Sequence, residues 1–99
     1  MIKHMVSWKL ASDDADVRLE QAEKVVAGLR AFVGVVPSIR ALHAGVGLGQ
    51  GSTHWDIGLI VDFDDEAGLE EYQVNPDHKA FGKYIRSVIS EQATVDFEF

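Results

Sequence analysis

Apolar residues recur at every second position at both ends of this chain and again in its middle, and at helical spacing in the stretches between. Ile2, His4, Val6, Trp8 and Leu10 share one side of the first segment, and Lys3, Met5, Ser7 and Lys9 share the other. That alternation predicts a strand with one dry face. Ser12-Asp-Asp-Ala-Asp16 offers cap candidates and first-turn acids for a helix whose stripe is Ala22, Val25, Val26, Leu29 and Phe32. Gly34 or the approach to Pro37 ends it. A less regular strand over 38–46 runs into the glycine-rich connection from Gly45 to Gly51, read as a mobile hairpin. Alternation returns with Trp55, Ile57, Leu59, Val61 and Phe63. Asp64 or Asp65 caps a short helix carrying Leu69 and Tyr72, and Asn75-Pro76 restarts the helix with a good cap and a residue suited to the first turn. Phe81, Tyr84, Ile85, Val88 and Ile89 form the stripe of this last helix. Val95, Phe97 and Phe99 then alternate with Thr94, Asp96 and Glu98 in a closing strand, with Phe97 expected on the inward face.

Strand, helix, strand, strand, helix, strand is the ferredoxin-like α+β order, with helices on one face of an antiparallel sheet. All 99 residues are expected in one domain. The open face of the sheet carries mixed residues, so it suits either solvent or a partner. A formal net charge of −7 with scattered Lys and Arg argues against nucleic acid, which needs clustered cations. No apolar run is long enough to span a bilayer and no signal-peptide pattern opens the chain, so no membrane association and a cytoplasmic location are expected. The absence of cysteine removes disulfides and thiolate chemistry.

Proton-transferring side chains fall at Tyr72, His78 and His4. His78 stands near the third position of a helix, where the partial positive charge of the N-terminus favours a neutral imidazole, the form a general base requires. Tyr72, six residues earlier, is a phenol that needs a hydrogen-bond partner if buried, and His78 is a candidate. His4 lies on a dry strand face, where a lone histidine is usually a core residue held by one hydrogen bond. His43 and His54 are read as surface or strand-end residues. No His-x-x-x-His or Glu-x-x-His pair suggests a metal.

The order of short motifs, His4-Met-Val-Ser-Trp-Lys9, Pro37-Ser-Ile39, Asp56-Ile-Gly-Leu-Ile-Val-Asp-Phe63 and Tyr72 through Asn75-Pro-Asp-His78, resembles the stress-responsive α/β barrel (Dabb) family over essentially the whole chain. The resemblance implies a homodimer that closes a barrel from two sheets. It also implies a small-molecule pocket in each subunit, walled by Trp8, Leu29, Ile57, Leu59 and Phe81. Tyr72, His78 and His4 match catalytic and pocket positions of members that close a linear polyketide by aldol condensation. There, His78 would take a proton alpha to a carbonyl while Tyr72 polarises an oxygen. Ile57 and Leu29 replace polar pocket residues of those members, and Asn75 replaces a histidine common among relatives, so a drier pocket and a different substrate are expected. No organic cofactor is implied. Some relatives hold Mg2+ on main-chain carbonyls at positions matching Val33, Val36 and Ile39, where helix-end oxygens lack intrahelical partners.

The leading expectation is binding, with cyclisation or isomerisation, of a small carbonyl-bearing or aromatic metabolite. Its rivals are a non-catalytic, stress-associated dimer with a filled pocket, and a cofactor-free monooxygenase. Oxygen consumption separates the last from cyclisation.

Overall fold

A computed structural model describes residues 1–49 and 51–99. Its elements are β1 (Ile2–Leu10), α1 (Ala15–Arg30), β2 (Ile39–Val46), β3 (Ile57–Phe63), α2 (Glu66–Val74), α3 (Pro76–Val88) and β4 (Ile89–Glu98). The four strands form one antiparallel sheet in the order β2-β3-β1-β4, which is the ferredoxin-like topology. The glycine-rich hairpin includes Gln50, which lies outside the described residues.

Local chemistry sets the helix boundaries. The Asp14 carboxylate accepts from the Asp16 and Val17 amides and starts α1. Asp65 accepts from the Gly68 amide and starts α2. The Asn75 side chain accepts from the Asp77 and His78 amides, so a single residue separates α2 from α3 and the chain turns sharply between Tyr72 and His78. Beneath these helices lies a core that includes Val6, Trp8, Val25, Leu29, Leu59, Val61, Phe63 and Tyr72. Burying each of the larger aliphatic side chains stabilises the fold by about 1.5–3 kcal/mol. The core therefore fixes the scaffold on which the polar groups are held.

The last strand departs from expectation in two ways. Ile89 opens β4 rather than ending the stripe of α3. The faces of β4 are also reversed. Trp8 pairs with Gln92, Val6 with Thr94 and His4 with Asp96, and directly opposed residues share a face, so β4 turns its polar side towards the helices. Val95 and Phe97, opposite Met5 and Lys3, lie on the open face, where Phe97 is 41% exposed. Phe97 is thus not a core residue. The hydrogen bonds His4–Asp96 and Trp8–Gln92 hold this register, which alternation within β4 alone does not reveal.

Candidate active site

Three elements deliver the proton-transferring groups to one place: β1 supplies His4, the last turn of α2 supplies Tyr72 and the first turn of α3 supplies His78. The Tyr72 and His78 rings lie 4.1 Å apart between centroids at 48°, and the His4 ring is 6.0 Å from that of Tyr72. Phe32 and Phe63 pack against Tyr72, and Phe32 also packs against His78. The three groups line a cavity of about 270 Å³ with Trp8, Leu29, Leu59 and Phe81.

The Tyr72 hydroxyl and His78 Nδ1 are both buried and have no hydrogen-bond partner among the described residues. The phenol therefore packs against His78 without bonding to it. Burial pushes the Tyr72 hydroxyl up to about 12, so it stays protonated at neutral pH. Burial is also the main reason His78 titrates below its ordinary value, with the charges of His4 and Arg86 adding to the shift and the Gln73 carbonyl opposing it. The direction agrees with the sequence expectation, but desolvation is the largest cause. At neutral pH the pair is a phenol able to donate and an imidazole able to accept, and neither is bonded to the other.

His4 is held differently. The Asp96 carboxylate accepts from His4 Nδ1, which fixes the ring and leaves Nε2 as its other polar atom. Asp96 was not among the residues singled out from sequence. The signal that could have found it is its register opposite His4, since a buried imidazole on a central strand needs a partner on the neighbouring strand.

Of the five expected pocket walls, Ile57 does not line this cavity. It pairs with Trp8 and Val46 and is buried in the core. The cavity is also more polar than expected, because reversed β4 contributes Gln92 and Thr94, and the helices add Gln73 and Arg86. The loop residues Gly47, Gly49 and Gly51 line a separate, larger groove of about 670 Å³ with Arg18 and Asp56, and neither Tyr72 nor His78 lines it. His43 and His54 are exposed and take no part.

Val33 and Val36 lie in turns that follow α1, and Ile39 opens β2. The Val36 carbonyl already accepts from the Ile39 amide at 3.2 Å, so a cation there would share that oxygen. No group of three His, Cys, Asp or Glu side chains able to hold a metal occurs among the described residues.

No curated protein matches the chain in sequence. Among solved structures, a dimeric protein of unknown function with a ferredoxin-like fold from Bacteroides fragilis is 28% identical, with a TM-score of 0.89 over 99% of this chain and 95% of that one. The hydroxynitrile lyase of Passiflora edulis is 14% identical, with a TM-score of 0.78 over 97% of this chain and 90% of that one. An antibiotic biosynthesis monooxygenase is 16% identical, with a TM-score of 0.71 over 100% and 98%. The last two show a common fold and nothing finer. The sequence profile of the Stress responsive A/B Barrel Domain matches residues 2–99, and this chain belongs to that family, Dabb.

Proposed function

We propose that the protein binds a small carbonyl compound and moves a proton alpha to the carbonyl, leading to isomerisation or to aldol-type ring closure. One observation carries this reading: Tyr72 and His78 line a common cavity, and the Tyr72 hydroxyl and His78 Nδ1 are buried without a hydrogen-bond partner among the described residues. Buried polar atoms are nearly always satisfied, so a bound oxygen and an acidic C–H are natural complements to these two. The His78 imidazole takes the proton and the electron pair moves onto the carbonyl oxygen. Tyr72 donates to the enolate so formed. Return of the proton from His78 to another atom completes an isomerisation. Attack of the enolate carbon on a second carbonyl of the same molecule closes a ring, and the proton then passes to the new alkoxide. His4, oriented by Asp96, positions the substrate.

This reading is favoured over a filled structural pocket because the phenol and the imidazole do not satisfy one another. It implies no organic cofactor. The fold also carries a hydroxynitrile lyase and a monooxygenase, which supports an enzymatic reading only by analogy. An oxygen electrode run during turnover separates proton transfer from oxygenation. The working unit on this reading is a homodimer with open sheet faces apposed, as the relative from Bacteroides fragilis is dimeric. A Mg2+ ion on the carbonyls of Val33, Val36 and Ile39 is a separate matter. Melting after EDTA treatment, with and without millimolar MgCl2, checks it: a higher Tm with the salt supports the ion and superimposable curves remove it.

The deciding experiment is solvent deuterium exchange into simple ketones, read by NMR, with wild type and His78→Ala. Exchange in wild type that is lost in the variant is expected. No exchange above buffer with any ketone that binds would overturn the proposal.

A further inference from the structure

The polar lining of the cavity is sorted by charge. Along the helix-facing side of β4 the residues run Gln92, Thr94, Asp96, Glu98, with neighbours roughly 7 Å apart along the strand. Gln92 and Thr94 line the cavity together with Gly82 and Arg86 of α3. Asp96 and Glu98 instead line an adjoining groove with Glu66 and Glu70 of α2. The cavity thus holds neutral β4 side chains beside the single cation Arg86 of α3, the adjoining groove holds acids, and the His4–Asp96 pair stands between them.

Arg86 is the only lysine or arginine among the residues lining the cavity. Lys3, Lys9, Arg18 and Arg40 each meet a carboxylate, whereas Arg86 meets none among the described residues. It is close enough to His78 for its charge to act on that ring. The neighbouring hydrogen bonds are directional. Trp8 Nε1 donates to Gln92 Oε1 at 3.0 Å, and Gln92 Nε2 donates to Thr94 Oγ1 at 3.1 Å. With its oxygen already accepting, Thr94 has its O–H left to donate. An unpaired guanidinium and a free hydroxyl form a donor set for a carboxylate. The four acids of the adjoining groove repel the same group, so a bound anion has one favoured orientation.

We propose that the cavity selects small oxo acids, with the carboxylate paired to Arg86 and Thr94 and the carbonyl at Tyr72 and His78. This rests on the proton-transfer site described above for the carbonyl end alone. In a protein of net charge −7 the general field does not attract an anion, so selectivity comes from the local pairing with Arg86.

The test is a titration of the full chain with 5-oxohexanoate and with methyl 5-oxohexanoate, following the His78 ring signals by NMR. The acid is expected to bind at least about tenfold tighter than the ester, the effect of one charge-assisted partner. Arg86→Gln should bring the acid down to the affinity of the ester and leave the ester unchanged, and Arg86→Lys should restore part of the difference. Added salt should weaken the acid alone. Equal affinities in wild type, or an equal loss of both ligands in Arg86→Gln, would overturn the oxo-acid proposal while His78 shifts keep the carbonyl site intact. If neither compound moves His78, the oxo-acid proposal falls, and the deuterium-exchange experiment with other ketones decides the carbonyl site by itself.

Discussion

The Tyr72 hydroxyl is the most exposed to test of the atoms in the site, because removing it disturbs nothing else that it holds. A buried hydroxyl without a partner contributes no hydrogen bond to the fold, so Tyr72→Phe should leave Tm nearly unchanged or slightly raised. The same variant should abolish turnover, and a fully active Tyr72→Phe would remove the phenol from the mechanism. His78 sets the acid limb of activity. Its imidazole must be neutral to accept a proton, and it titrates below its ordinary value near 6.5, so kcat/KM should fall only at pH values under 6.5. Tyr72, held up at about 12, should give no basic limb below pH 10. Stability follows the same direction. The folded chain protonates His78 less readily than the unfolded chain, so stability is full above about 6.5 and declines as the pH drops from there towards the folded value. Melting curves across that range, compared with those of His78→Ala, isolate this contribution.

At the level of elements, the site depends on how closely α1 approaches α3. A Cβ built on Gly28 of α1 would stand 2.2 Å from the Phe81 ring of α3, far inside van der Waals contact. Gly28→Ala should therefore displace Phe81, a cavity wall, and destabilise by about 1–3 kcal/mol in denaturant titration, despite the better helix propensity of alanine. A gain in stability would mean that the ring moves aside freely. The elements themselves were legible in the sequence where local chemistry decides them. Asn75-Pro76 announces the break between Tyr72 and His78, and the alternation of β1 and β3 sets their buried faces. What stayed hidden depends on pairing across the chain. Nothing local tells whether Asp96 or Phe97 faces the helices. That follows from registers that join residues more than ninety positions apart, so the partner of His4 and the polar wall were missed. Ile57 was misassigned for a related reason: it shares a face with Leu59 but sits at the opposite end of the strand from the site's centre at Tyr72.

At the scale of the whole molecule, the open sheet face carries Met5, Ile60, Val95 and Phe97, with Phe99 close to Phe97 beside the Lys3 ammonium. Ile60, Val95, Phe97 and Phe99 are each a third or more exposed in the isolated subunit, which is a poor arrangement unless another surface covers them. For a subunit on its own, Phe97→Ala should cost below about 1 kcal/mol, as at most exposed positions. In a dimer that buries this face, Tm should rise with protein concentration, and Phe97→Asp should abolish that rise and shift sedimentation to the monomer. A monomeric wild type would end the homodimer proposal. The reversal of β4 carries a consequence for how such a chain can change over time. Even-numbered positions from Gln92 to Glu98 face the helices, where Gln92 and Thr94 line the cavity, whereas odd-numbered ones lie on the open face of the sheet. If the proposed ligand site and dimer both hold, point substitutions along this single ten-residue segment should retune the two independently. An insertion or deletion of one residue there cannot, because it would exchange the two roles at every later position.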